Sequence, residues 1–426
     1  MKNNTVVLAV DRAEAQLGKA VCKLADHYKQ NIDAICLVSE EFKNTPAYKG
    51  DETDGLFKEI FCDFNNQAEL KKILSTIAEK SQIIMHCRME EAIKDYRKII
   101  PLLPKDTLVQ SSESLRLTTE KYLMREAMSK QFPEIIPKFI KVYELEEFEE
   151  SLIADFKLPV IVKPNGLHSS FFVKKCFSVE EVVSALANAF EGLDAVYKRE
   201  YGTGSPCMLI EEFISGDMYS IDVYIDDNEN KYYLQPVGVT IAAQLGLDGY
   251  YGYQYDLPAN LSKYDINAAN ECCAKAISSV KLKNSVAHIE LFKTQDGWKI
   301  IEIGPRIGGY RQELYFEAFG IDHYLNDLML HAGFEPDIKP KWHKYASGLT
   351  LYADKEGTIT AISGIEESER IDSVKWIGLD ANVGDKAVFN SNGGQLLAIV
   401  VTSNNDKQQL IRDNKKVRET INFLVK

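Results

Sequence analysis

The chain has 426 residues, of which 45% are hydrophobic and 27% are charged, and its formal net charge is -13. This length exceeds one ordinary hydrophobic core, so several domains are expected. No apolar run reaches the roughly 20 residues needed to cross a bilayer, and the negative charge disfavours nucleic-acid binding. The composition predicts a globular cytoplasmic protein with small-molecule partners and neither a membrane nor a nucleic-acid partner.

Two further features of the composition support this prediction. The apolar run at the N-terminus breaks at Asp11 and Arg12, which indicates a first strand and not a signal peptide. The eight cysteines are scattered and contain no C-x-x-C pair, so we interpret them as reduced core residues.

Residues 1–113 alternate short apolar runs with amphipathic stretches. The predicted strands are TVVLAV, IDAICLV, FKEIFCDF, QIIMHC and TLVQSS, and the predicted helices lie near 14–28, 67–80 and 90–100. Such alternation predicts a parallel sheet with helices on its faces, a Rossmann-like domain. Because no G-x-G-x-x-G follows the first strand, this domain is not expected to bind a dinucleotide.

The pattern changes at about residue 114. The segment SLRLTTEKYLMREAMSKQF predicts one helix that begins at Thr118 or Thr119, and a proline-bracketed strand, PEIIPKFIKV, follows. A helix at 144–155, the strand LPVIVKP, the loop NGLHSS, the strand FFVKKC and a helix at 178–191 come next. Together they predict a small α+β unit, a hinged lid at about 136–208.

The remaining chain predicts a catalytic region and a C-terminal subdomain. The strand MLIEEFISG, a hairpin turned by DDNEN, and helices at 265–280 and 312–332 follow the lid. Residues 341–426 return to strands and close with a helix. The predicted domains are therefore 1–113, 114–340 and 341–426, the last a small C-terminal α+β, β-rich subdomain.

The segment HIELFKTQDGWKIIEIGPRIGGYRQ, residues 288–312, carries the strongest chemical signal. A three-residue turn at 295–297 would pair Thr294 with Trp298 and set Glu290 opposite Glu302, about 5 Å apart. Period-two alternation also puts Ile300 on the face of Glu302. Two facing carboxylates repel unless a proton or cation lies between them, and paired hard oxygens are typical Mg²⁺ ligands. The alternative is an exposed hairpin whose acids face water.

Several other residues are weaker candidates. Lys163 ends an apolar strand at the mouth of a loop whose Gly166, Ser169 and Ser170 could cover a phosphate. Lys121 lies near a helix start, and the strand end at 211–214 could present its backbone to an adenine. Arg306 is a candidate in GPRIGGYRQ, where Gly308 and Gly309 lack side chains and so permit a close approach of the backbone. The alternatives are a solvated lysine and an ordinary edge strand.

Taken in order, these motifs resemble the ATP-grasp fold. With its flanking regions the chain is most similar to carboxylate-amine ligases of the L-amino acid ligase and biotin carboxylase type. The resemblance spans nearly the whole chain, and it implies an N-terminal Rossmann-like domain, a hinged lid, a catalytic region and a small C-terminal domain.

The resemblance also assigns roles to residues. It implies that EEFI holds the adenine of ATP, with the backbone of two of its residues making the hydrogen bonds, that two lysines bind phosphate, that two glutamates bind Mg²⁺ or Mn²⁺, and that an arginine stabilises the reaction centre. The implied ATP-binding residues are Lys121, Lys163, Ser169, Ser170, Glu211, Glu212, Phe213 and Ile214, with Glu212 and Ile214 as the backbone pair. The implied metal ligands are Glu290 and Glu302, and the implied catalytic residues are Arg306 and Lys163.

The sequence departs from the family pattern at two positions. Gly304 stands where a third metal ligand, asparagine, is often found, so two glutamates must suffice. Met218 stands where an acid usually holds the ribose, and Asp217 or Asp222 is the predicted substitute.

The resemblance implies an ADP-forming ligase that activates a carboxylate, of the amino acid class, as an acyl phosphate and couples it to an amine. Candidate substrate-binding residues are His288, Gly309 and Arg311; His288 could instead be a satisfied strand residue, and Arg311 could pair with a structural acid. The tyrosine-rich segment QLGLDGYYGYQYDLP is a candidate substrate wall or an ordinary ordered loop. The alternative functions are an enzyme that activates bicarbonate or formate and an ATP-binding pseudoenzyme. The candidate assembly is a homodimer.

Overall fold

The computed structural model describes residues 4–44, 48–90, 92–167, 171–199, 202–247, 251–353, 355–388 and 396–426. The N-terminal elements are β1 (Asn4–Val10), α1 (Ala15–Tyr28), β2 (Ile32–Ser39), α2 (Glu40–Lys43), β3 (Lys58–Cys62), α3 (Gln67–Lys80), β4 (Ser81–His86) and α4 (Ile93–Ile99). Strands β1 to β4 pair in parallel in the order β3-β2-β1-β4. The predicted Rossmann-like sheet is confirmed.

One predicted strand of this domain, TLVQSS, is wrong. Residues 108–111 form no strand and instead connect the N-terminal domain to the next region. The side chain of Gln110 accepts a hydrogen bond from the Tyr96 hydroxyl at 2.9 Å and donates one to the Ser285 hydroxyl at 2.9 Å. Side chains from two regions thus satisfy the amide group of the Gln110 side chain.

The helix predicted at the start of the catalytic region is two helices, α5 (Ser112–Thr119) and α6 (Lys121–Ser129). Glu120 between them is extended, with φ -105 and ψ 101. Asn165 explains the break, because its carbonyl accepts the Lys121 amide at 3.2 Å and its side chain accepts the Tyr122 amide at 2.8 Å. The second helix therefore begins at Lys121 and not at a threonine.

The lid contains β5 (Phe139–Val142), β6 (Val160–Pro164), β7 (Lys174–Cys176), α7 (Val179–Phe190), α8 (Leu193–Arg199) and β8 (Met208–Glu212). Its strands pair antiparallel in the order β5-β8-β6-β7. The helix predicted at 144–155 is wrong: two short 3-10 helices (Leu145–Glu147 and Glu150–Ile153) flank Glu149, which is extended at φ -120 and ψ 143. The strand predicted from FFVKKC is only β7.

The central region contains β9 (Asp217–Ile225), β10 (Lys231–Tyr233), β11 (Val237–Ile241), β12 (Gly252–Leu257), α9 (Lys263–Ser279), β13 (Ser285–Thr294), β14 (Gly297–Gly304), α10 (Arg311–Phe319) and α11 (His323–His331). The helix predicted at 312–332 is two helices, because Gly320 adopts φ +70 and ends α10. None of the described helices is both long and apolar enough to span a membrane.

The C-terminal elements are β15 (Tyr345–Tyr352), β16 (Gly357–Ser363), α12 (Ile365–Glu369), β17 (Val374–Leu379), β18 (Lys386–Ala387), β19 (Leu396–Asn404), α13 (Lys407–Thr420) and β20 (Asn422–Val425). Strands β15, β19 and β17 extend the central sheet, whose order is β14-β13-β9-β11-β12-β15-β19-β17, with β10 beside β9. A small sheet, β18-β16-β20, lies apart. The central sheet therefore runs across the boundary predicted at 340.

Candidate active site

The hairpin of β13 and β14 sets two glutamates face to face. Glu290 is the direct partner of Glu302, as predicted. The predicted turn is wrong by one residue, since Thr294 pairs with Gly297 and not with Trp298. A β-bulge at Ile301 restores the register, and it also turns Ile300 onto the core face, away from the glutamates.

The charges around the glutamate pair differ on its two sides. Lys121 Nζ lies 3.1 Å from Glu302 Oε1 and donates to the Leu167 carbonyl at 2.6 Å. His288 Nε2 lies 3.7 Å from Glu290 Oε1. Burial would raise the pKa of Glu290, but His288 and nearby arginines lower it overall. The two carboxylates are 31% and 34% exposed, so they are accessible from solvent.

Lys163, the second predicted phosphate lysine, is held by a buried carboxylate. Its Nζ lies 2.7 Å from Glu211 Oε2, and burial lowers its pKa to about 8. Burial would raise the pKa of Glu211, but the guanidinium of Arg125 and the ammonium of Lys163 lower it to about 2. Glu211 is thus ionised, and its carboxylate forms ion pairs with Lys163 and Arg125.

The predicted adenine segment ends the lid strand β8. The amide of Glu212 donates to the Lys138 carbonyl at 3.0 Å, and the amide of Phe213 donates to the Pro159 carbonyl at 3.2 Å. The Glu212 amide already donates to a protein carbonyl, so it is excluded from the backbone contacts with adenine that were predicted for Glu212 and Ile214. The Glu212 carbonyl and the Ile214 amide stay as the predicted contacts.

The predicted phosphate loop follows β6. Ser169 and Ser170 lie outside the described residues. The amide of Gly166 donates to the Tyr197 hydroxyl at 2.7 Å, so it does not face a phosphate as predicted. A Cβ at Gly166 would lie 1.8 Å from the Thr203 carbonyl oxygen, and this close approach explains the glycine.

Arg306, the predicted reaction-centre residue, reaches across to the N-terminal domain. Its Nε donates to Glu90 Oε2 at 2.8 Å, and its Nη2 lies 2.8 Å from the same oxygen. Burial would lower the pKa of Arg306, but Glu90 and Glu302 raise it. A Cβ at Gly304 would lie 3.4 Å from Arg306 Cζ, so the guanidinium covers the position of the third family ligand.

His288 is fixed by a buried aspartate. Its Nδ1 lies 2.6 Å from Asp222 Oδ1, and Asp222 Oδ2 lies 3.0 Å from His323 Nε2 and accepts the Gly308 amide at 3.3 Å. Asp222 is fully buried, so the prediction that it could hold the ribose is wrong. Asp217 is exposed and stays the predicted ribose contact.

The predicted substrate residues Gly309 and Arg311 lie just after the hairpin. Gly309 is exposed with open space around its Cα, whereas Arg311 is buried. The Arg311 guanidinium donates to the Ser220 hydroxyl at 2.8 Å and the Gly309 carbonyl at 3.1 Å, and it stacks on Tyr255 at 4.7 Å. It pairs with none of the described acids, contrary to the structural alternative. Tyr255 lies in β12, so this part of the tyrosine-rich segment is ordered sheet.

The glutamate pair suits a divalent cation with two protein ligands. Among the described residues, no group of three or more histidine, cysteine, aspartate or glutamate side chains is arranged to hold a metal ion. Glu290 and Glu302 nevertheless face each other as accessible hard oxygen donors, which is the ligand chemistry of Mg²⁺. Phosphate and water oxygens would complete such a shell, because Gly304 has no side chain.

Sequence reasoning missed two arginine-carboxylate contacts of this site. Arg125 was assigned only to a helix, and Glu90 only to the start of a predicted N-terminal helix. The i, i+4 spacing of Lys121 and Arg125 was an available signal, since it puts two cations on one face of a helix. No local pattern indicates that Glu90 meets Arg306, 216 positions later.

Comparisons with known proteins show what this chain is similar to. The family model of the ATP-grasp domain matches residues 156–313. A phosphoribosylamine–glycine ligase of Lactococcus lactis is 24% identical over 271 residues, which cover 59% of this chain and 60% of that protein. The chain spans about half to three fifths of the length of the curated proteins that it matches.

Solved structures extend the likeness of the fold to the whole chain. The L-amino acid ligase of Bacillus licheniformis superposes with a TM-score of 0.78 at 16% identity, over 100% of both chains. The N5-carboxyaminoimidazole synthetase of Staphylococcus aureus, complexed with ADP, superposes with a TM-score of 0.67 at 14% identity, over 98% of both chains. Residues 156–313 therefore match the ATP-grasp domain, and the chain shares its fold from end to end with an L-amino acid ligase.

Proposed function

We propose that the protein is an ATP-dependent, ADP-forming ligase that couples a carboxylate, of the amino acid class, to an amine. One observation carries the proposal: Glu290 and Glu302 face each other. Lys121 contacts Glu302, and the charge of Arg306 also interacts with Glu302. This arrangement suits phosphoryl transfer, in which positioning and charge neutralisation supply most of the catalysis.

The proposed reaction has two steps. An oxygen of the substrate carboxylate attacks the γ-phosphorus of ATP, the bond to the ADP oxygen breaks, and an acyl phosphate forms. The nitrogen of the amine then attacks the acyl carbon, the bond to the phosphate oxygen breaks, and the amine loses a proton. The product is an amide or a dipeptide with ADP and phosphate.

The residues of the chain would share the work as follows. Lys121 and Lys163 would bind the phosphates, and the end of β8 would hold the adenine. A bound Mg²⁺ or Mn²⁺ on Glu290 and Glu302 would neutralise phosphate charge. Arg306 would stabilise the negative charge of the acyl phosphate and of the tetrahedral intermediate. Closure of the lid would exclude water from the acyl phosphate.

The test is release of phosphate and ADP by the purified protein with ATP and Mg²⁺, across a panel of amino acid pairs, with masses of the products. We expect release that requires both a carboxylate and an amine, and a product mass equal to their sum less one water. Phosphate release with bicarbonate, but with none of the amine acceptors, would instead identify a carboxylase. Tight ATP binding with no turnover for any substrate would identify a pseudoenzyme.

The similarity to a phosphoribosylamine–glycine ligase favours one specific version of this proposal. In that version glycine is the carboxylate and a phosphorylated sugar amine is the acceptor. Glycine with phosphoribosylamine therefore belongs in the panel, beside pairs of ordinary amino acids. A product with that pair alone would assign the protein that ligase activity.

A further inference from the structure

Helix α6 carries two cationic side chains. Each contacts both halves of the proposed site, which are the hairpin of β13 and β14 and the lid. Lys121 and Arg125 are one turn apart, so they lie on one face of the helix. Lys121 contacts Glu302 of the hairpin and the Leu167 carbonyl of the lid. Arg125 contacts the hairpin and the lid as well, one turn further along the helix. Only Lys121 belongs to the roles that the family resemblance assigns.

Arg125 donates hydrogen bonds to a carboxylate of the lid and to a backbone carbonyl of the hairpin. Its Nε donates to Glu211 Oε1 at 2.9 Å, and its Nη2 donates to Glu211 Oε2 at 3.2 Å and to the Ile301 carbonyl at 2.9 Å. The side chain is fully buried. A planar guanidinium can make these bonds together, whereas the single nitrogen of a lysine cannot reproduce their geometry.

On the hairpin side, Arg125 binds the carbonyl of the bulged residue. Leu291 pairs with Ile300 below the bulge and Glu290 pairs with Glu302 above it, so Ile301 has no partner residue in this ladder. If the lower register continued, Glu290 would face Ile301, and Glu302 would turn onto the core face. The bulge is therefore what brings the two glutamates together, and Arg125 satisfies the carbonyl at that point.

On the lid side, Arg125 holds the carboxylate that holds a phosphate lysine. Glu211 is shared between Arg125 and Lys163, whose Nζ lies 2.7 Å from Oε2. Without Arg125, the buried carboxylate would keep Lys163 as its partner and draw the ammonium more strongly toward itself. Lys163 would then be less available to an ATP phosphate.

We propose that Arg125 is a positioning residue that sets the glutamate pair and the phosphate lysine in one geometry. It acts through the Ile301 carbonyl on Glu302 and through Glu211 on Lys163. This inference rests on the proposed function, and it adds a residue and a link between the two halves of the site.

The experiment compares Arg125→Met with Arg418→Met. Arg418 serves as the control, because it is partly buried, whereas Arg125 is fully buried, and it also donates to backbone carbonyls, those of Thr350 and Tyr253. Three quantities are measured: the Kd of ATP without metal, the Mn²⁺ concentration that half-activates turnover, and the midpoint of urea unfolding. We expect Arg125→Met to weaken ATP binding and to raise the Mn²⁺ requirement, each by about tenfold, a difference of about 1.4 kcal/mol. Arg418→Met should lower the unfolding midpoint alone.

A second variant, Arg125→Lys, separates the two arms and serves if Arg125→Met does not fold. Lysine keeps a cation near Glu211 but cannot also reach the Ile301 carbonyl. We expect ATP affinity within about twofold of wild type and a Mn²⁺ requirement raised about tenfold. This split is not expected from a residue that only stabilises the fold.

The outcomes distinguish the inference from the proposed function. If the wild-type protein binds ATP and neither Arg125 variant changes ATP affinity or Mn²⁺ requirement, the inference is overturned alone. Equal shifts in the Arg125 and Arg418 variants would overturn it as well. A wild-type protein that does not bind ATP would overturn the proposed function and this inference together.

Discussion

One buried glutamate and one pair of facing glutamates in this site have opposite environments. Glu211 is buried and neutralised by Arg125 and Lys163, whereas Glu290 and Glu302 face each other and are about one-third exposed. The first environment fixes neighbouring side chains without any ligand. The second concentrates negative charge that a cation can neutralise. The comparison teaches that pairing and burial, and not residue type, distinguish the buried acid from the two proposed metal ligands.

The largest effect is expected at the exposed pair. Glu302→Gln removes one charged metal ligand and leaves the fold, so turnover should fall by at least about 100-fold while the urea midpoint hardly changes. Phosphate release and urea unfolding measure the two quantities. Asp296→Asn, at the exposed turn of the same hairpin, is the control and should retain activity. Normal turnover in Glu302→Gln would remove the metal assignment.

The buried acid should behave in the opposite way. Glu211→Gln leaves Arg125 and Lys163 without their anion, so the free energy of unfolding should fall by about 3–5 kcal/mol at pH 7. Urea unfolding measures it, with Glu212→Gln as the neighbouring control. An unchanged free energy of unfolding in Glu211→Gln would contradict the neutralisation of Arg125 and Lys163 by this buried carboxylate.

The pKa of Glu211 gives this prediction a pH dependence. Because its folded-state pKa is lowered to about 2, its stabilisation is fully present above the ordinary carboxyl range and is lost as pH falls toward 2. Wild-type stability should therefore decline over that range more steeply than that of Glu211→Gln. Parallel declines would show that this carboxylate does not carry the effect.

Lys163 offers a test with a smaller effect. Its pKa is lowered to about 8, so its positive charge is present below pH 8 and is lost as pH rises through that value. If Lys163 binds phosphate, the Kd of ATP without metal should rise about tenfold from pH 7 to pH 9. Lys163→Arg keeps its charge over this range and should flatten the profile. A wild-type profile without this rise would count against the phosphate role.

The smallest effect is expected at Gly304. Gly304→Asn would add the amide oxygen of a third ligand, and its Cβ would make van der Waals contact with Arg306 Cζ at 3.4 Å, so the rest of the side chain would compete with the guanidinium for space. We expect a lower Mn²⁺ requirement and a turnover reduced a few-fold. Gly304→Ala separates the two causes, because it adds the Cβ contact with Arg306 and no ligand. A lower Mn²⁺ requirement in the alanine variant would argue against the ligand explanation.

Local sequence pattern was a good guide where one element decides the outcome. The parallel N-terminal sheet, the lid helix capped by Ser178 and the hairpin of β13 and β14 follow from hydrophobic periodicity and turn residues. The facing of Glu290 and Glu302 was also predicted, although the turn used to predict it was wrong. A bulge compensated for the shorter turn, and nothing in the alternation of the sequence indicates that bulge.

Predictions failed where a distant group competes for a backbone or side-chain atom. Asn165 draws two amides away from a continuous helix, and Tyr197 takes the amide expected to face a phosphate. Asp222 is a strand residue of ordinary appearance, but two histidines and an amide enclose it. Such contacts depend on which elements pack together, which a single segment does not encode.

The sequence by itself determined the elements and most of the chemical groups of this protein. It supplied a parallel sheet, a small α+β lid, and a hairpin with matched acids, because periodicity and turn chemistry act over a few residues. Tertiary structure decided which charges are paired. Glu90 meets Arg306, and Arg125 meets both Glu211 and the Ile301 carbonyl, only because packing brings distant segments within hydrogen-bond distance. That pairing neutralises Glu211 and leaves Glu290 and Glu302, the proposed metal ligands, about one-third exposed.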